Sequence, residues 1–314
     1  MRVLVLGGSY FIGRTLVDRL LHDGHTVALL NRGSRSVEGV EQVVADRGQS
    51  AQMHAALANR RFDWVIDTSC YTPEQARLAL EAIGGRFSSW LYLSTAAVYP
   101  GGTTARISED QVGPGREWED YGWNKLKAEQ VFEAGLSPAS QRLTMIRAPY
   151  VYGPLNTLPR EKWLWARMLQ GGPIWIPGAG TTPLHFIHVS DLVDAMLVTL
   201  AQASSPVETY NVAQAETPTI RDYVSLLGDV AGVQPRVRPV DYQALGVDVR
   251  SFFPFRDYPC LLSTAKLEDA YGWRAHYQMR QGLEQTLAQL SRASLLKLDS
   301  ASSIEERLLS EIAT

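Results

Sequence analysis

Short apolar runs alternate with amphipathic stretches through the first half of the chain. Arg2–Leu6 reads as a buried strand, after which Ile12, Leu16, Val17, Leu20 and Leu21 share one helical face. Asp23-Gly24 ends that helix, with glycine at the C′ position. Further strands are predicted over 26–30, 41–45, 63–67, 90–94 and 143–147. Between them, helices are predicted over 51–59, capped by Ser50, from Pro73 at a first turn to Ile83, and over Tyr121–Glu133.

Strands and helices in strict alternation predict an α/β fold, a doubly wound parallel sheet of the Rossmann type with right-handed crossovers. After Pro149 the texture changes. Segments 171–184 and 202–219 are rich in Gly, Pro, Thr and Ser and read as loops, the second around a strand at 209–212. Helices are expected over 161–170, 189–201 and 219–231, and 240–262 reads as irregular and aromatic. The expected organisation is a dinucleotide-type core over 1–150 that takes back roughly 185–215. A smaller C-terminal substrate lobe, mainly 151–295, and a helical tail over 296–314 complete it.

Composition narrows the class. The 314 residues are 45% apolar and 20% charged, with a net charge of −3, as in an ordinary soluble enzyme. No apolar run approaches the roughly 18–20 residues that span a bilayer, so no membrane association is expected. Arg2 leads into Val3-Leu4-Val5-Leu6 and then glycines, too short a stretch for a secretory leader. Cys70 and Cys260 lie far apart without metal-ligand spacing, which reads as two free thiols of a cytoplasmic protein with no metal. The slight acidity argues against a nucleic-acid partner.

Chemistry concentrates in three places. Leu6-Gly7-Gly8-Ser9-Tyr10-Phe11-Ile12-Gly13 joins the first strand to the first helix, where a dinucleotide pyrophosphate binds in doubly wound folds. Glycines allow the tight turn, and the unpaired N–H groups and positive dipole end of the helix attract the anion. Gly7, Ser9, Tyr10, Phe11, Ile12 and Gly13 are therefore cofactor candidates. Tyr10 stands where a middle glycine is common, so its side chain must turn outward. An acid at the end of the second strand would bind ribose hydroxyls and repel a 2′-phosphate; the chain has Asn31-Arg32-Gly33-Ser34-Arg35 instead. Asn31, Arg32 and Arg35 thus favour NADP(H), with NAD(H) left open, and Asp46 is placed to meet the adenine.

The third place is Tyr121-Gly122-Trp123-Asn124-Lys125, which sets Tyr121 and Lys125 on one helix face. Tyrosine is a weak base near its usual pKa of about 10, and a neighbouring ammonium and an oxidised nicotinamide both favour phenolate. Thr95, at a strand end, offers a hydroxyl to a substrate oxygen while Tyr121 moves its proton.

These residues resemble the extended short-chain dehydrogenase/reductases, in particular the NAD-dependent epimerase/dehydratase family. The ordered matches are Gly7-Gly8-x-x-Phe11-Ile12-Gly13, Ser94-Thr95-Ala96-Ala97-Val98-Tyr99, Tyr121-x-x-x-Lys125 and Arg147-x-x-x-Val151-Tyr152-Gly153-Pro154. Phe186-Ile187-His188-Val189-x-Asp191-Leu192, Tyr210-Asn211-Val212 and Tyr271-Gly272-Trp273 follow. The aromatic loop resembles an atypical branch that includes stem-loop-binding relatives.

The resemblance implies that Tyr121 is the acid/base, Lys125 its partner and ribose ligand, and Thr95 the substrate-oxygen ligand. Pro149 would line the nicotinamide face, Tyr150 and Arg256 would meet substrate, and His188 would be a buried structural residue. Ala96-Ala97 replace the acid pair of the family's 4,6-dehydratases, which disfavours elimination. Leu184 replaces the arginine that grips a nucleotide diphosphate. The expected function is an NAD(P)-dependent epimerase or reductase acting on a carbinol or ketone carbon of a sugar-like or sugar-nucleotide-like substrate. The alternatives are an RNA-interacting stem-loop-binding-type protein and a non-catalytic dinucleotide-binding protein. A homodimer is usual in the superfamily.

Overall fold

Most first-half strands are apolar on both faces, as a parallel sheet covered by helices requires. A computed structural model describes residues 1–137, 139–290 and 292–296; the expected tail beyond 296 lies outside them. The chain begins β1 (Arg2–Leu6), α1 (Phe11–His22), β2 (Thr26–Asn31), β3 (Glu41–Val44), α2 (Ser50–Leu57), β4 (Trp64–Asp67) and α3 (Pro73–Ile83). It continues with β5 (Ser89–Thr95), β6 (Thr103–Ile107), α4 (Glu119–Gly135), β7 (Arg142–Ala148), β8 (Tyr150–Tyr152) and α5 (Arg160–Leu169). Then come β9 (Pro173–Pro177), β10 (Phe186–His188), α6 (Val189–Gln202), β11 (Val207–Asn211), α7 (Ile220–Ala231) and β12 (Arg236–Val240). The described chain closes with β13 (Cys260–Leu262), α8 (Ala265–Tyr271), α9 (Met279–Ala288) and α10 (Arg292–Leu296).

Seven strands form the central sheet in the order β11-β7-β5-β4-β1-β2-β3, every neighbouring pair parallel. Successive β1 side chains point to opposite faces. Val3 and Val5 pack with Leu16, Val17, Leu20 and Met196 on one face. Leu4 and Leu6 pack with Met53, Phe62, Val65 and Phe132 on the other. The chain reverses direction across the sheet between β1 and β4, and Leu6 pairs with both Leu30 and Asp67. The strand ends carrying the glycine loop, Asn31 and Asp67 therefore lie level, at the switch point where doubly wound sheets bind ligands.

The second half builds a third core around Tyr152, Trp165, Trp175, Phe186, Tyr223 and Phe255. Two two-stranded parallel pairs, β8 with β10 and β9 with β12, lie within it, and a third, β6 with β13, ties the second half to the first. Several expectations are corrected here. Pro173–Pro177 is a strand rather than loop, because Arg236–Val240 supplies a partner distant in sequence. Likewise Cys260–Leu262, in the segment read as irregular, pairs with Thr103–Ile107. Ser50 is not a cap: it is the first residue of α2, and its hydroxyl lies 3.3 Å from His54 Nδ1. Among the described residues no helix is long and apolar enough to cross a membrane.

One buried network fixes α4 to the sheet. Arg147 donates to both carboxylate oxygens of Glu129, at 3.0 and 2.6 Å, and to the Tyr99 hydroxyl at 2.9 Å. Tyr99 donates in turn to Asn211 Oδ1 at 2.6 Å. Three of the sequence motifs thus meet as one support beneath the helix that carries Tyr121 and Lys125.

Candidate active site

The glycine loop is shaped by close approach. A Cβ on Gly13 would lie 2.2 Å from the Gly7 carbonyl oxygen, and Gly7 has φ +94° with Ser69 Cβ 2.4 Å from where its own Cβ would be. No larger residue fits either place. Helix α1 starts with neither a capping side chain nor an acid in its first turn. Its leading N–H groups are consequently left for an anion. Tyr10 is turned outward as required, and the Arg35 guanidinium stacks 4.4 Å from its ring centre.

A cavity of about 1040 Å³ runs from this loop across the strand ends into the second-half lobe. It brings together Gly7, Ser9, Tyr10, Phe11, Ile12, Gly13, Asn31, Arg32, Asp46, Thr95, Tyr121, Lys125, Pro149, Tyr150 and Arg256. Arg35 is the exception among the sequence candidates. It lines an adjoining depression with Ser9, Tyr10 and Phe11, because its stack on Tyr10 holds it on the far side of that ring. Asn31 lines the cavity, but its amide is engaged: it donates to Ser9 Oγ at 2.7 Å and accepts from Gly33 N–H at 2.8 Å and Gln42 at 2.7 Å. It ties the glycine loop to the end of β2. Asp46 accepts from Gly48 N–H at 2.9 Å.

Sequence reasoning missed Arg47, Tyr71 and Arg160, which also line the cavity. Arg47 makes a bidentate pair with the fully buried Asp67, at 2.7 and 2.8 Å, and donates to Ser69 Oγ at 2.6 Å. That pairing crosses from β3 to β4 and leaves no trace in local periodicity. The only available signal for Arg47 was its place beside Asp46.

Thr95 and Tyr121 lie together in the cavity wall. The Thr95 hydroxyl neighbours the Tyr121 phenol and accepts from Ala97 N–H at 3.2 Å. The Tyr121 side chain is open to the cavity, 44% exposed. Burial raises the phenol above its usual 10; the Thr95 hydroxyl and the Arg160 field oppose that. Lys125 was expected to supply the opposing charge. Instead its buried ammonium donates to the carbonyls of Cys70 at 2.9 Å and Leu93 at 2.6 Å, 4.2 Å from the Tyr92 ring centre. Burial pulls its pKa down to about 8.

Two histidines border the lobe. His185 accepts from Leu262 N–H at Nδ1 and meets the Gln214 carbonyl through Nε2, and burial lowers its pKa to about 4. The imidazole is therefore neutral, with its proton on Nε2. His188 is buried, stacked on Tyr277 at 3.9 Å, and accepts from Ser190 N–H.

Comparison with known proteins agrees with this geometry. Residues 3–213 match the NAD dependent epimerase/dehydratase family. The chain is 28% identical to the chloroplast stem-loop binding protein of 41 kDa b of Arabidopsis thaliana over 90% of its own length and 77% of that protein's. It is 29% identical to the dTDP-6-deoxy-L-talose 4-dehydrogenase (NAD(P)(+)) of Kitasatospora kifunensis, covering 76% of this chain and 82% of that one. Among solved structures, the UDP-glucose 4-epimerase of Thermus thermophilus in complex with NAD superposes with a TM-score of 0.76 at 22% identity, over 92% and 98% of the two chains. Sheet order, glycine loop and sequence match together make this chain a member of the NAD dependent epimerase/dehydratase family.

Proposed function

We propose that the protein is an NADP(H)-dependent enzyme that interconverts a carbinol and a ketone on a sugar-like substrate. The observation that carries this reading is that Thr95 and Tyr121 line one cavity with the glycine loop and Pro149. The residues present fit a dinucleotide: the Gly7 and Gly13 positions form a cradle that any Cβ would fill, beside the uncapped start of α1.

Gly7 to Gly13 would hold the pyrophosphate, Arg32 and Ser34 a 2′-phosphate, Asp46 the adenine, and Lys125 the ribose next to the nicotinamide. No carboxylate ends β2 to repel a 2′-phosphate, which supports NADP(H) over NAD(H). When bound, the dinucleotide supplies or accepts a hydride. Thr95 holds the substrate oxygen. Tyr121, whose raised pKa keeps its proton through the neutral range, donates that proton as a ketone is reduced and takes it back in the reverse direction. The lobe fed by 151–295 closes the substrate side with Tyr150 and Arg256, and Arg256 N–H donates to the Tyr150 hydroxyl at 3.2 Å.

The relatives include a dehydrogenase and a 2'-dehydrokanamycin reductase, both of which act on carbinol or ketone centres by name. The stem-loop-binding relative raises RNA binding as a second reading, which the net charge of −3 disfavours. The test is NADPH consumption over a panel of keto-sugars and keto-sugar nucleotides. Tyr121→Phe is expected to lower turnover at least 100-fold while NADPH affinity changes less than about 3-fold. Unchanged turnover in that variant would remove Tyr121 from the chemistry.

A further inference from the structure

We propose that the substrate carries an anionic group close to its reacting carbon, and that Arg160 is the residue that reads it. The inference rests on the functional reading above and specifies the chemistry of the substrate.

Arg160, Arg250 and Arg256 line the lobe end of the cavity. Among the described residues none of the three makes an ion pair with a carboxylate. Glu161, next to Arg160 in sequence, feels its charge but forms no ion pair with it; it is buried and accepts from Tyr223 at 3.0 Å and Asn156 at 3.2 Å. Asp46 and Glu119 are the carboxylates among the described lining residues, and Asp46 belongs to the glycine-loop end.

Position distinguishes Arg160 from the other two. Its guanidinium carbon lies 4.8 Å from the centre of the Tyr150 ring and 5.7 Å from that of Phe255. Tyr150 directly follows Pro149, and Arg160 is the cation whose field reaches Tyr121. Arg256 lies instead over Trp118, at 5.4 Å, and Arg250 is exposed. An anion on Arg160 would therefore lie at the Tyr150 wall of the cavity that Thr95 and Tyr121 also line.

The guanidinium is held against aromatic rings, and among the described residues its N–H donors have no hydrogen-bond acceptor. Those donors match the paired oxygens of a carboxylate or phosphate. The chemistry recognised is thus a paired oxyanion, from either a sugar acid or a sugar phosphate.

The test is calorimetric titration of NADPH-loaded protein with glucuronate, glucose 6-phosphate and glucose, using wild type, Arg160→Gln and Arg160→Lys. Thermal melts of each variant verify folding. Wild type is expected to bind at least one anion about 10-fold or more tightly than glucose, and Arg160→Gln to lose that preference. Arg160→Lys is expected to recover part of it, since the charge returns without the fork. Preference for glucuronate assigns the anion as a carboxylate, and preference for glucose 6-phosphate assigns it as a phosphate.

Binding of NADPH by wild type without any anion preference overturns the inference alone. So does a preference that survives in Arg160→Gln, or an NADPH affinity that falls with that variant, which would give the guanidinium to the cofactor. Failure of wild type to bind NADPH overturns the functional reading and the inference with it.

Discussion

Replacing Lys125 by Met removes a charge from the interior and changes how stability depends on pH. The ammonium is 4% exposed, and its pKa falls from the usual 10.5 to about 8 in the folded protein. Burial is the cause, partly offset by the nearby Asp67 and Glu129 carboxylates. A lowered folded pKa means that the folded state binds fewer protons than the unfolded state between about pH 8 and 10.5. Stability therefore rises with pH across that window. Below it both states are protonated, and the full cost of burying the charge, about 3 kcal/mol, is present.

Lys125→Met abolishes this dependence. It also strips the Cys70 and Leu93 carbonyls of a donor, at about 1–3 kcal/mol, but that loss does not vary with pH. The readout is consequently the difference in unfolding free energy between variant and wild type, from urea titrations at steps between pH 7 and 10.5. Comparing the two proteins cancels the tyrosines that titrate in both. The wild type should gain on the variant by about 3 kcal/mol over that range. A difference that stays constant with pH would refute the burial argument.

Three further outcomes follow from the geometry. Glu129→Gln leaves Arg147 charged and unpaired in the interior and should cost about 3–5 kcal/mol in urea unfolding, with much of it restored in Glu129→Gln/Arg147→Met; a loss below about 1 kcal/mol would show that the network does not support α4. Gly13→Ala places a methyl 2.2 Å from the Gly7 carbonyl and should weaken NADPH binding at least 100-fold by fluorescence titration, with the melting temperature falling as well. Near-normal affinity in that variant would mean the loop is not the pyrophosphate site. Tyr121→Phe, as described above, should separate turnover from cofactor binding.

Most of the first half was legible because β1, β2, β4, β5 and β7 are buried along most of their length and show their pattern without their partners, whereas the exposed β6 was not foreseen. Arg2–Leu6 and Pro73–Ile83 were read to the residue. Lengths failed where partners matter. Tyr150–Tyr152, Phe186–His188 and Cys260–Leu262 are three residues each, and they become strands only through pairing with distant segments. A three-residue run carries no period.

At the site, motifs that act through backbone or through fixed spacing were visible, as with Gly7, Gly13, Tyr121 and Lys125. Residues that act through tertiary pairing were not. Arg47 depends on Asp67 across two strands, and Arg160 depends on the Tyr150 and Phe255 rings. Arg35 shows the limit of reading by position: its place after β2 suggested the cofactor cavity, and its contact with the Tyr10 ring sets it in the depression beside it.

The central claim is that the cavity beside the glycine loop takes NADP(H). Calorimetric titration of the protein with NADPH and NADH, repeated with Arg32→Glu, tests it most directly. The account predicts one NADPH per chain with a Kd of about 1 µM, at least about 10-fold tighter than NADH, and loss of that preference in Arg32→Glu. Absence of binding by either dinucleotide at millimolar concentration would contradict it.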